Sequence, residues 1–195
     1  MRDTSFLLTG VGGQGTLLAS NVLARTGVRA GYDVKKAEVH GMAQRGGSVS
    51  SQIRWGEKIY SPLIAQGEVD YLVALEKLET LRYVEMLRPG GTVIIGDMRI
   101  PPLSVSSGSD VYPDDEQIYK TVEQVAGEIC FVPSTRLAKE AGNVRAHNIV
   151  VLGALSSYLD DVAPTIWQEV IAQWVPERYV QVNLNAFQMG QSAGC

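Results

Sequence analysis

The chain has 195 residues, 45% of them hydrophobic and 19% charged, with 20 glycines and a formal net charge of −4. That length and apolar content suit one domain with a full core, so residues 1–195 are read as a single domain. The negative balance argues against a general nucleic-acid-binding role, no apolar run reaches the ~18 residues of a membrane span, and the polar start Met1–Ser5 is not expected to open a signal peptide.

In chain order, Thr4–Thr9 reads as a strand whose apolar run Phe6-Leu7-Leu8 suits burial on both faces. Thr16–Ala30 reads as an amphipathic helix, with Leu18, Val22 and Leu23 inward and Gly31 as its stop. Tyr32–Val39 is a second strand, and the three elements form a βαβ unit with its strands read as adjacent and parallel. After an irregular loop, His40–Gly47, the segments Ser48–Trp55 and Lys58–Ser61 read as an antiparallel hairpin turning at Gly56. Asp70–Leu75 is a strand, Glu76–Leu87 a helix stopped by Pro89-Gly90-Gly91, and Thr92–Gly96 a strand. Pro101–Pro113 is turn-rich. It is followed by a helix at Asp114–Ala126, a strand at Glu128–Val132 and helices at Ser134–Glu140, Asn143–Leu159, Pro164–Trp174 and Glu177–Met189. The expected fold is a three-layer α/β/α, Rossmann-like architecture: a mixed, mostly parallel sheet with one antiparallel hairpin.

The cysteines bound the chemistry. Cys130 and Cys195 share no short-spaced motif, so no disulfide framework and a reducing, cytoplasmic setting are expected. Iron–sulfur clusters are commonly held by a set of four cysteine thiolates, which this chain cannot supply. His40 and His147 are the only imidazoles, and no metal-type spacing links them, so no metal site is assigned.

The most informative motif is the turn after the first strand. Gly10, Gly12 and Gly15 fit G-x-G-x-x-G, between a strand and a helix as a phosphate-binding turn requires. Glycines there permit positive φ and close backbone approach, the helix N-terminus offers free N–H groups, and Thr16 adds a hydroxyl. A tight crossover that binds nothing accounts for the same residues. Three ligand readings compete with it. A nicotinamide or flavin dinucleotide site would use Glu38, at the end of the second strand and near the ~20-residue spacing expected of the acidic partner. A methyltransferase would use Leu87–Gly91, though a helix stop explains that segment equally well. A thiamine diphosphate site would need Gly96-Asp97 followed downstream by paired asparagines, and the chain has no Asn-Asn.

The second loop discriminates. Gly12-Gly13-Gln14-Gly15 together with Lys36–Gly47, which contains His-Gly-Met-Ala-Gln-Arg-Gly-Gly, resembles the gamma domain of the 2-oxoacid:ferredoxin oxidoreductases, and within them the small subunit of the indolepyruvate enzymes. The likeness continues through Tyr60–Ile64, Leu87–Gly91, Asp97–Pro102 and Asn148–Gly153, nearly the whole chain. Such enzymes oxidatively decarboxylate a 2-oxoacid, join the acyl group to coenzyme A and reduce ferredoxin. The resemblance therefore implies a larger catalytic (alpha) subunit carrying thiamine diphosphate and 4Fe-4S clusters, with ferredoxin served through the complex. It implies no catalytic residue on this chain, no firmly bound cofactor, an inactive isolated subunit and an optional homodimer in isolation. The alternative kept open is a free-standing Rossmann-type NAD(P)-binding protein.

Within that frame the expected cofactor-edge residues are Gly10, Gly12, Gly13, Gln14, Gly15 and Thr16, with Arg45, Gly46 and Gly47 from the second loop. Arg45 followed by two glycines offers a cation beside free N–H groups, suited to a coenzyme A phosphate or a partner carboxylate. Glu38 and His40, spaced i, i+2, share a strand face and are read as an interface pair. Asn148 lies on the stripe Val144, Val151, Leu152, Leu155 and Leu159, as a core amide or a site-edge contact. Ile149 and Val150 make that helix apolar off the stripe as well, so it is deeply buried or covered by another chain. Trp55, Trp167 and Trp174 are read as core or interface aromatics.

Overall fold

The computed structural model describes residues 3–40 and 46–193, with His40 described by its backbone. Strand β1 (Thr4–Val11) shows why the sheet is buried on both sides: Phe6 and Leu8 enter one core cluster while Leu7 enters another. The same alternation runs through β4 (Val69–Glu76), where Val73 and Leu75 oppose Leu72, and through β5 (Leu87–Met98), where Ile94 opposes Val93 and Ile95. The strand order is β2-β3-β1-β4-β5-β6, with β2 at Asp33–His40, β3 at Ser48–Gly56 and β6 at Glu128–Val132. β1, β4, β5 and β6 are mutually parallel, and β3 is antiparallel to both β1 and β2.

Helices cover both faces. α1 (Thr16–Arg29), α5 (Ser134–Glu140), α6 (His147–Ser156), α7 (Pro164–Trp174) and α8 (Val180–Gln191) contribute to the first core cluster. α2 (Lys77–Tyr83) and α4 (Asp115–Val122) contribute to the second. A single short turn of helix, α3 (Leu103–Ser106), sits in the proline-bounded connection. The expected three-layer mixed α/β/α fold is therefore present, and among the described residues no helix is long and apolar enough to cross a membrane.

Local differences have physical reasons. Lys58–Ser61 does not pair with β3, because β1 and β2 already occupy both of β3's edges. The antiparallel hairpin is β2–β3 instead. The irregular segment after β3 is pegged by the Ile59 N–H donating to Asp33 Oδ2 (2.9 Å) and the Ile64 N–H donating to Gln52 Oε1 (2.7 Å). β1 and β2 run in the same direction but are not neighbours, since β3 lies between them. Pro89-Gly90-Gly91 falls inside β5 as a register shift between the pairs Val69↔Leu87 and Tyr71↔Thr92, with Gly90 at φ 74°. Cys130 is buried on β6.

α6 is buried along its entire length, as its all-round apolar sequence requires. The cover comes from this chain, not from another: α8 crosses α6 at glycine contacts so close that a Cβ on Gly153 would lie 2.2 Å from the Phe187 carbonyl oxygen, and one on Gly190 1.9 Å from that of Val150. Trp55 and Trp167 lie in the core with ring centroids 6.4 Å apart, whereas Trp174 is partly exposed.

Candidate functional site

The carboxyl ends of β1, β4 and β5 meet the amino end of β3 at one edge of the sheet, the edge at which open α/β sheets place ligands. β1 leaves that edge through a left-handed turn. Gly13 has φ 106° and Gly15 has φ 79°, values that side-chain-bearing residues rarely adopt. Gly15 is the N-cap of α1 and has no side chain to offer the first turn, which also carries no acidic residue. Its N–H groups thus keep their partial positive charge uncompensated by side chains.

The two loops singled out in the sequence meet. The Gly12 N–H donates to the Gly47 carbonyl (2.8 Å) and the Gly46 N–H donates to the Gly12 carbonyl (3.3 Å). Among the described residues, a Cβ on Gly13 or Gly46 would meet nothing within 4 Å.

The underside is closed by buried side chains. Gln14 is buried; its Oε1 accepts from the Val11 N–H (2.7 Å), and its Nε2 donates to the Leu75 carbonyl (3.2 Å) and approaches Met98 Sδ (3.4 Å). One amide thus joins the ends of three strands. Asn148 Nδ2 donates to the Gly15 carbonyl (3.0 Å), and its Oδ1 accepts from the Ile149 N–H (2.9 Å). A Cβ on Gly15 would lie 2.5 Å from Asn148 Nδ2, so the glycine is also required by close approach. Asn148 is therefore a satisfied core amide holding the turn on α6. The Thr16 hydroxyl is buried and has no hydrogen-bond partner among the described residues.

His147, at the start of α6, lies beneath Gln14. Burial pulls its pKa down to about 4, against the attraction of the Asp97 carboxylate and a contact with the Gln14 backbone, so it is neutral at pH 7. Its Nδ1 is buried and has no hydrogen-bond partner among the described residues. Asp97 Oδ1 accepts from Ser134 Oγ (2.9 Å), the Thr135 N–H (2.8 Å) and Thr135 Oγ1 (2.7 Å), tying β5 to α5.

Two further carboxylates close the edge from the other face. Glu76 accepts from the Glu79 N–H (3.1 Å), the Ile100 N–H (2.9 Å) and the Tyr112 hydroxyl. Glu79 accepts from Thr9 Oγ1 (3.3 Å), Ser48 Oγ and Arg82 Nε (2.9 Å). These buried acids tie the fold together: each is surrounded by donors that come from separate elements of the chain. Among the described residues, no group of three or more His, Cys, Asp or Glu side chains is placed to hold a metal ion.

Of the residues expected from the sequence, Gly10, Gly12, Gly13, Gly15, Gly46 and Gly47 come together at this edge, with the Gln14, Thr16 and Asn148 side chains turned inward beneath it. Glu38 does not join them. It lies on the edge strand β2 beyond β3 and forms an ion pair with Lys36. Arg45 and the His40 side chain lie outside the described residues. The sequence reading missed Asp97 and His147 as members of this edge. The signals were Gly96-Asp97 at the end of a predicted strand, weighed only as half of a thiamine motif, and His147 directly before Asn148.

A family model described as pyruvate ferredoxin/flavodoxin oxidoreductase matches residues 5–193. The chain is 40% identical over 195 residues to the indolepyruvate oxidoreductase subunit IorB of Thermococcus kodakarensis, covering 99% of this chain and 96% of that one. Among solved structures, pyruvate oxidoreductase subunit PORC of Thermotoga maritima superposes with a TM-score of 0.74 at 21% identity, covering 99% of this chain and 97% of that chain. The 2-oxoglutarate:ferredoxin oxidoreductase of Magnetococcus marinus, solved with 2-oxoglutarate, coenzyme A and succinyl-CoA, superposes with a TM-score of 0.73 at 23% identity; the match covers 99% of this chain and 31% of that longer one.

Proposed function

This chain belongs to the pyruvate ferredoxin/flavodoxin oxidoreductase family, and from that premise we propose that it is the small, non-catalytic subunit of a 2-oxoacid:ferredoxin oxidoreductase acting on indolepyruvate or a related arylpyruvate. The complex would decarboxylate the 2-oxoacid, transfer the acyl group to coenzyme A and reduce ferredoxin. Thiamine diphosphate and the iron–sulfur clusters belong in this reading to a larger subunit, since the two cysteines here cannot supply the four thiolates of a typical cluster.

The observation that carries the proposal is the paired loop edge. Gly12 and Gly46–Gly47 lock their backbones together, while Gln14, Asn148 and His147 brace the turn from below. The described edge is made of backbone, and its buried carboxylates serve internal hydrogen bonds. Such a surface positions something brought to it; it does not perform acid–base work. In this account the edge formed by Gly10, Gly12, Gly13, Gly15, Gly46 and Gly47, with the first-turn N–H groups of α1, faces the larger subunit or the coenzyme A that it binds, and Arg45 of the second loop is proposed to add a cation. The free-standing dinucleotide reading is weaker on geometry, because β3 separates Glu38 from the turn and Lys36 already engages its carboxylate.

Co-expression with the larger subunit tests the proposal. A tag on this chain should retain that subunit through size exclusion as one complex. Tight nicotinamide binding by the isolated chain, abolished by Glu38→Ala, would overturn the reading.

A further inference from the structure

We propose that the groove between α1, β2 and α7 docks an acidic, apolar-containing segment of the larger subunit, an inference that rests on the small-subunit reading above. The groove is about 680 Å³ and lies on the α1 side of the edge strand β2. Arg25, Arg29 and Lys36 line it, and its described lining includes no acidic residue, on a chain whose net charge is −4.

The three cations differ in what they already hold. Arg29 pairs with Glu169 (3.0 Å), and Lys36 pairs with Glu38. Arg25 instead lies over the Trp174 ring, 3.9 Å from its centroid, and among the described residues it pairs with no carboxylate. A cation–π contact does not use up the guanidinium's N–H donors, which stay suited to a bidentate carboxylate. Beside it, Val28 is 60% exposed and Trp174 is 37% exposed. A poised cation flanked by bare apolar surface matches the composition of an interface core, where Arg and Trp are enriched.

Position favours the larger subunit as the occupant. α1 begins at the Gly15 turn, and Arg25 lies roughly 15 Å further along the same helix at 1.5 Å per residue. A chain seated on the glycine edge would therefore continue down α1 into the groove. A second copy of this chain would bring an equal excess of negative charge, and the two copies would repel over most of their surfaces.

The experiment mixes separately purified larger subunit with this chain and measures the dissociation constant at two salt concentrations. It compares wild type, Arg25→Glu, Val28→Asp and a control, Lys120→Glu, on the remote helix α4. Arg25→Glu should weaken association at least tenfold and flatten its salt dependence; Val28→Asp should weaken it similarly; the control should match wild type. A photo-crosslinker at Gln173 in the assembled complex should capture a larger-subunit peptide rich in Asp or Glu. Wild-type affinity for both groove variants, or capture of a peptide without acidic residues or of a second copy of this chain, would overturn the docking inference and leave the subunit reading standing. No association of the wild-type chain would overturn the subunit reading itself.

Discussion

Gly15→Ala isolates the forces that shape the turn. Two costs are legible in the structure. An alanine at φ 79° sits in the left-handed region, which costs roughly 1–2 kcal/mol. Its Cβ would also lie 2.5 Å from Asn148 Nδ2, so the amide must withdraw from the Gly15 carbonyl inside a site where Asn148 is 2% exposed. A buried donor left without its acceptor costs about 1–3 kcal/mol. The Gly15 carbonyl keeps its bond from the Ala19 N–H, so the loss is confined to one bond. Together the substitution should destabilise the chain by roughly 2–5 kcal/mol. Urea unfolding measures it, and a double-mutant cycle separates the parts. In an Asn148→Ala background the clash is gone, so Gly15→Ala should cost only the backbone component. An equal cost in both backgrounds would refute the packing argument, and a cost near zero in wild type would refute both.

Other outcomes follow from the same geometry. His147 has its pKa depressed to about 4 in the folded chain against 6.5 unfolded. Its contribution to stability is therefore complete above pH 6.5 and is lost as pH falls towards 4, because the unfolded state takes up the proton first. That loss approaches about 3 kcal/mol, at roughly 1.4 kcal/mol per pH unit. Denaturation midpoints across that window should fall for wild type and fall less for His147→Gln. Gly190→Ala would place a methyl 1.9 Å from the Val150 carbonyl oxygen, where only backbone movement relieves the overlap. It should destabilise by about 3 kcal/mol or more and lower the melting temperature by at least roughly 6 °C. Gly67→Ala, at positive φ with open space around it, should cost only about 1–2 kcal/mol.

The layered fold was legible because its signals are local. The apolar run Phe6–Leu8, the glycine stop after α1 and the proline at the start of α7 each act within a few residues. Non-local pairing was not. β3 accepts neighbours on both edges, and nothing in the alternation of Ser48–Trp55 says whether its partner follows or precedes it. The candidate site divides in the same way. The glycine spacing announced a turn, and the paired loop edge formed where two motifs resembling one family come together. The inward bonds of Gln14 and Asn148, and the place of His147 against Asp97, depend on segments far downstream folding over β1, α6 among them at more than a hundred residues' distance. A lone asparagine on an apolar stripe signals that a partner exists, but the Gly15 carbonyl could be identified only in three dimensions.

The most direct test of the account is a titration of activity. Indolepyruvate- and coenzyme A-dependent reduction of ferredoxin should be absent with this chain alone and should rise to saturation as it is added to a fixed amount of the larger subunit, with a sharp stoichiometric end point. Decarboxylation by this chain alone, or larger-subunit activity indifferent to its addition, would contradict the account.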